Sequence, residues 1–171
     1  MAIPITHHAK TRVAAEESSA EAVVAKLWGT YDTLLADLDG VVYEGKQAIE
    51  HAVESINSLQ SAGIAIGYVT NNASRKPETI AAQLSGFGLQ VDPDEVVGSA
   101  RAAVKMLSER IPAGSKVLVV GGEGLTSEVE AVGFQLVSSA SDKRAAVIQG
   151  FSPEVGWKHL AEAAFAIQGG A

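Results

Sequence analysis

The chain has 171 residues, a formal net charge of −7 from 20 acidic and 13 basic side chains, and no cysteine. That length suffices for one domain with a core, or for a small domain plus part of a second. The acidic balance excludes a nucleic-acid surface, which needs a basic stripe, and the absence of thiols excludes disulfides and thiolate metal sites.

No apolar run reaches the ~18 residues of a membrane span. Met1 to Arg12 lacks the apolar core of a secretory signal, so a cytoplasmic location is expected. His7 and His8 sit in this polar tail and read as part of a mobile terminus rather than as metal ligands. Ala14 to Trp28 reads as a helix rich in Ala, Glu and Lys, with Val23, Val24 and Leu27 on one side.

From Thr33 onward strand and helix signals alternate. Thr33 to Ala36 is an apolar strand, expected to be buried, that ends at Asp37. Ile49, Val53, Ile56 and Leu59 recur at helical spacing, closed by Ala62-Gly63. Ile64 to Val69 is the next strand and stops at Thr70-Asn71-Asn72. A helix follows Ser74, with Pro77 in its first turn and Gly86 near its end. Another is expected from Ser99, as its cap, to Arg110 before Pro112.

The pattern then repeats. Lys116 to Val120 is a strand, and Gly121-Gly122-Glu123-Gly124 turns into a helix carrying Leu125, Val129 and Val132, ended by Gly133. Phe134 to Val137 and Ala145 to Gln149 read as strands. Pro153 opens a helix whose Trp157, Leu160, Ala161, Ala164 and Phe165 form an apolar stripe, expected to be buried, with His159 off it in solvent. Such alternation predicts an α/β fold with a mostly parallel sheet covered by helices. Ligands of these sheets bind beyond the carboxyl ends of the strands. Asp37 to Gly40 and Thr70 to Asn72 both lie at such ends, about 30 residues apart, one crossover, so their strands are expected to be neighbours.

Two carboxylates as close as Asp37 and Asp39 repel, and need a cation or a shared proton. A hard divalent ion with oxygen ligands suits them, as magnesium does. Phosphoryl transfer uses this arrangement: one carboxylate attacks phosphorus and the other moves protons. Asp37, held at the strand end, suits the nucleophile, and Asp39, in the loop, suits the acid/base. A simple turn is the competing reading; a calcium loop lacks its oxygen ladder here, since Val41, Val42 and Tyr43 follow. Thr70, Asn71 and the start of the following helix form a phosphate cradle or, on the competing reading, a capping turn.

Asp37-Leu38-Asp39-Gly40-Val41-Val42-Tyr43 and Tyr68-Val69-Thr70-Asn71-Asn72-Ala73-Ser74-Arg75 resemble the first two motifs of the haloacid dehalogenase-like (HAD) hydrolases. The branch they resemble is the one of NagD and the para-nitrophenyl phosphatases (subfamily IIA). Gly98 to Ala103 is similar to the segment where that branch leaves its core, and Val119 to Leu125 to the opening of its cap. The resemblance implies a Rossmann-like core with an inserted α/β cap of C2 type. It divides the chain into an N-terminal extension (1–30), the N-terminal half of the core (31–100) and a partial cap (101–171). It implies a magnesium-dependent phosphatase acting on a small phosphorylated metabolite through an aspartyl-phosphate. Asp37 would be nucleophile and metal ligand. Asp39 would be the acid/base and would hold the metal through its backbone carbonyl. Thr70 and Asn71 would hold the phosphoryl group, Asn72 would orient the loop or substrate, and Val41 to Gly45 would form a flap. The cap would govern substrate choice and make homodimer contacts.

The family also uses a lysine and a further acidic pair, and neither motif follows Asn72. The expectation is therefore an N-terminal fragment of a longer protein. Two other classes compete: a phospho-accepting switch domain, whose acidic residues come from different strands, and a non-catalytic remnant. Purified 171-residue protein is expected to show no robust hydrolysis of para-nitrophenyl phosphate with magnesium; vigorous turnover in that assay would refute the expectation.

Overall fold

The computed structural model describes residues 29–171. The expected helix Ala14 to Trp28 and the pair His7 and His8 lie outside the described residues. In chain order the elements are β1 (Thr33–Asp37), β2 (Tyr43–Glu44), β3 (Gln47–Ala48), α1 (Ala52–Ser61), β4 (Ala65–Thr70) and α2 (Pro77–Gly86). There follow β5 (Val96–Gly98), α3 (Ser99–Ser108), β6 (Lys116–Val120), α4 (Glu123–Ala131), β7 (Gln135–Val137), β8 (Ala146–Gln149) and α5 (Trp157–Gln168). The fold is α/β, as expected. No described helix is long and apolar enough to cross a membrane.

Two three-stranded sheets, both parallel, run in the orders β1-β4-β5 and β7-β6-β8, and β2 and β3 form an antiparallel hairpin. β1 and β4 are neighbours, with Asp37 opposite Val69. β5 escaped the sequence reading because it is only three residues long. It is introduced by a short turn in which Asp92 Oδ1 accepts the Asp94 N–H and Glu95 accepts the Asp92 N–H.

The first sheet is covered on one side. Ala36, Ile66, Tyr68 and Val96 pack with Ile56 of α1 and Ile80 and Leu84 of α2. Right-handed crossovers that lay β1, β4 and β5 down in one direction put both helices on the same face. On the opposite face Leu35 is 70% exposed and lies over Gly67, and Val69 and Val97 are also exposed. The expectation of a buried β1 is thus corrected: only Ala36 of this edge strand is buried.

The second sheet is covered on both sides. Val117 and Ile148 pack with Val104 of α3 and Leu125 and Val129 of α4; Leu118 and Val120 pack with Ala163 and Ala166 of α5. This overturns the predicted stripe on α5. Trp157 is 82% and Phe165 62% exposed, while the alanines face the sheet. Both sides of this helix carry small apolar residues, and periodicity alone does not choose the one that lets the backbone approach closest. His159 is exposed, as expected, and its Nδ1 accepts the Gly156 N–H at the helix start.

Three boundaries also move. Ile49 precedes α1 and donates its N–H to the Val42 carbonyl. α5 starts at Trp157, four residues after Pro153. Ser99 is the first residue of α3 rather than its cap, which is Gly98; the Ser99 hydroxyl donates instead to the Asn71 carbonyl at 2.8 Å.

Tyr68 is fully buried on the covered face, and its hydroxyl finds no partner among the described residues. Burial, then the charge of Glu95, pushes its pKa up to about 12. In urea denaturation Tyr68→Phe is expected to be neutral or stabilising by up to ~1 kcal/mol. Leu84→Ala should cost about 3 kcal/mol, and Leu35→Thr should stay within ~0.5 kcal/mol.

Candidate active site

The acidic loop is wound around one carbonyl. Leu38 is fully buried, and its oxygen accepts the N–H groups of Val41, Val42 and Tyr43 at 3.2, 2.9 and 3.2 Å. Gly40 donates to the Tyr43 carbonyl at 2.8 Å from a φ of +83°, a conformation that disfavours any side chain. Leu38, Val42 and Tyr43 anchor the loop in the core, which leaves Asp37 and Asp39 exposed at the carboxyl edge. Asp37 Oδ1 accepts the Leu38 N–H at 3.0 Å, which fixes its carboxylate close to the strand end.

Thr70 ends β4 beside this loop and is buried. Its hydroxyl donates to Asp39 Oδ2 at 3.4 Å and accepts the Asn72 N–H at 3.1 Å. The two polar clusters found in the sequence therefore touch. Asn71 is exposed at the same edge. Asn72 Oδ1 accepts both the N–H and the hydroxyl of Ser74, at 2.9 and 2.6 Å, so this side chain shapes the loop. The expected helix start at the cradle is displaced. α2 begins at Pro77, which has no N–H, and Lys76 is its N-cap. The helix terminus thus stands apart from Thr70 to Asn72, which lie in the preceding strand end and loop.

Sequence reasoning quoted Tyr43 and Arg75 within its motifs without giving either a role of its own, and missed Gln83, although all three complete the surroundings. The Tyr43 phenol has its pKa raised, chiefly by burial, then by Asp39 and Asp37, with Arg75 opposing. Arg75 donates from Nη1 to Gln83 Oε1 at 2.6 Å and from Nη2 to the Thr79 carbonyl at 3.2 Å. Gln83 Nε2 donates in turn to the Gly45 carbonyl at 2.9 Å.

Among the described residues no group of three or more His, Cys, Asp or Glu side chains is placed to hold a metal. The crevice offers two hard carboxylates, a donor set that suits a cation keeping most of its water.

The second sheet meets this loop with its own carboxyl ends. A methyl group added at Gly124 would lie 2.5 Å from the Arg75 carbonyl oxygen, and one at Gly122 3.1 Å from that of Ser74. One at Gly150, directly after β8, would lie 3.0 Å from Ala73 Cβ. Gly124 also donates its N–H to the Ser74 carbonyl at 3.3 Å, and Lys76 Nζ pairs with Glu123 at 2.5 Å. The glycine run visible in the sequence was the signal for this approach, although it reads there only as a turn.

Residues 34–135 match the family model described as haloacid dehalogenase-like hydrolase. The chain is 43% identical over 141 residues to the D-glycerol 3-phosphate phosphatase of Mycobacterium tuberculosis, covering 82% of this chain and 39% of that protein. It is 35% identical over 141 residues to the acid sugar phosphatase of Staphylococcus saprophyticus, covering 82% of this chain and 53% of that protein. The chain thus spans about half the length, or less, of the curated relatives it matches. A crystal structure of the mycobacterial glycerol phosphate phosphatase in complex with magnesium superposes with a TM-score of 0.76 at 42% identity, covering 82% of this chain and 42% of that one. The p-nitrophenyl phosphatase of Archaeoglobus fulgidus gives a TM-score of 0.70 at 26% identity, covering 80% and 51%.

Gly124→Ala is expected to force the two units apart, moving the amide resonances of Asn72 to Lys76 and costing ~1–3 kcal/mol in urea denaturation. Unchanged resonances would show the contact to be slack.

Proposed function

The chain belongs to the haloacid dehalogenase-like hydrolases, and on that premise we propose that it supplies the nucleophile half of a site hydrolysing small phosphate monoesters through an aspartyl-phosphate. The observation that carries the reading is the Thr70 hydroxyl on Asp39 at 3.4 Å, beside a strand that ends in Asp37. One phosphoryl group lodged between the two strand ends reaches all three residues.

An Asp37 carboxylate oxygen attacks phosphorus, and the bond from phosphorus to the ester oxygen breaks. Asp39 gives that leaving oxygen its proton. Asp39, now a carboxylate, takes a proton from water; the water oxygen attacks phosphorus, and the bond to Asp37 breaks. Thr70 and Asn71 hold the phosphoryl oxygens, and Asn72 keeps the loop in shape through Ser74. Asp37, through its carboxylate, and Asp39, through its backbone carbonyl, are the residues that would hold magnesium, which when bound offsets the charge of the carboxylate and of the phosphoryl oxygens. The exposed pair of hard oxygen donors supports this, as does the magnesium in the mycobacterial relative's structure.

The same proposal divides the chain into the N-terminal half of a core (31–100) and part of a cap (101–171), after an extension (1–30). The two separate sheets support it. The substrate is a small phosphate ester of the kind for which the relatives are named, glycerol 3-phosphate or a sugar phosphate. A homodimer formed through the cap and a cytoplasmic location complete the reading; the exposed Trp157 and Phe165 of α5 support the first.

Incubated with magnesium and a reactive acyl phosphate, the chain is expected to gain one phosphoryl group on Asp37, located by peptide mass and absent from Asp37→Asn. Labelling of Asp39 instead, or of neither residue, would sink the assignment. Thr70→Val should weaken orthophosphate binding about tenfold in the presence of magnesium, the loss of a hydrogen bond to a charged group.

A further inference from the structure

Two loops carry the site, and they are joined at two places. One is the direct contact of Thr70 with Asp39. The other lies farther out and runs through a single side chain. β2 and β3 form a hairpin that starts four residues after Asp39, at Tyr43, turned by Gly45-Lys46 with Gly45 at a φ of +59°. The Gly45 carbonyl, at the tip, accepts from Gln83 Nε2 at 2.9 Å. Gln83 Oε1 accepts from Arg75 Nη1 at 2.6 Å, and Arg75 stands in the loop that follows Asn72. The orientation of the amide is fixed by these partners. Reversed, it would set its NH2 against a guanidinium and its oxygen against a carbonyl.

We infer that Gln83 is a positioning residue of the phosphate site, seating the hairpin and aiming the Arg75 guanidinium at the anionic ligand. The inference rests on the functional reading above. Packing does not account for Gln83, because its neighbour Leu84 fills the core while Gln83 itself is half-buried. Both its partners belong to the loops that bear the site. The residue type matters too. A carboxylate at this position would hold Arg75 at least as firmly but would cancel its charge, whereas a neutral amide holds the guanidinium and leaves its charge for an anion. The Tyr43 phenol has its pKa raised by burial and by Asp39, and Arg75 opposes that rise, which agrees with an Arg75 charge felt beside the acidic loop.

The test uses the full 171-residue chain and two variants. Gln83→Met keeps the shape and removes both hydrogen bonds; Gln83→Glu keeps the acceptor for Arg75, removes the donor to Gly45 and adds a charge. Amide hydrogen exchange over residues 41–49 reads the hairpin, and orthophosphate titration with magnesium, followed by NMR, reads the site. Both variants should speed hairpin exchange about fivefold, as expected for one lost neutral hydrogen bond, with exchange inside α2 unchanged. Orthophosphate affinity should fall severalfold in Gln83→Met and further in Gln83→Glu. Unchanged hairpin exchange in Gln83→Met overturns the proposal, and so does unchanged orthophosphate affinity in both variants. If wild-type chain fails to bind orthophosphate, the functional reading itself fails and this proposal falls with it. If wild type binds and the variants match it, the proposal alone is overturned.

Discussion

The parallel register of β1 on β4, with Asp37 opposite Val69, is the constraint on which the site depends. It brings two strand ends level, so that the loops leaving them face one another across the same edge. Thr70 is the next residue of β4 and is buried there, which aims its hydroxyl at the acidic loop. A slip of one residue along β4 would send this side chain to the opposite face and leave the bare face lined with the core residues Ile66 and Tyr68. The apolar packing of α1 and α2 on one side of the sheet therefore fixes the position of polar groups that take no part in that packing.

Two exposed carboxylates on one tight loop are electrostatically unfavourable unless something offsets them. The loop tolerates them because its backbone is satisfied from within: the Leu38 carbonyl gathers three N–H groups, and Leu38, Val42 and Tyr43 hold it down. The charge itself is met from outside the loop by the Thr70 hydroxyl on Asp39 and, on the proposed reading, by a magnesium ion. Rigidity and charge compensation thus come from different parts of the chain.

The second unit enters by close backbone approach. Gly122, Gly124 and Gly150 stand where a side chain would collide with Ala73, Ser74 or Arg75. The carboxyl ends of β6 and β8 consequently rest on the very loop that follows Thr70. The edge of the first sheet and the placement of the second are joined through these few residues, with the Lys76–Glu123 pair on the outside.

Much of this was legible in the sequence. Asp-x-Asp-Gly after an apolar run, and Thr-Asn-Asn after the next, are local signals whose chemistry follows from residue type and spacing. The alternation of periods gave the α/β class and the adjacency of β1 and β4. Other features were not legible, because they depend on partners distant in the chain. Whether Leu35 or Ala36 is buried depends on which face the crossovers cover. Whether Trp157 or Ala163 meets a sheet depends on how closely α5 can approach it. The Gly45–Gln83–Arg75 chain joins residues up to 38 positions apart, with no mark in local pattern. The acidic loop, the Thr-Asn-Asn loop and the fold class were thus determined by sequence alone, since local geometry and composition suffice for them. Their contact, their coupling through Gln83 and the exposed apolar faces were decided only by tertiary structure, because hydrogen bonds and burial are properties of pairs brought together by the whole chain.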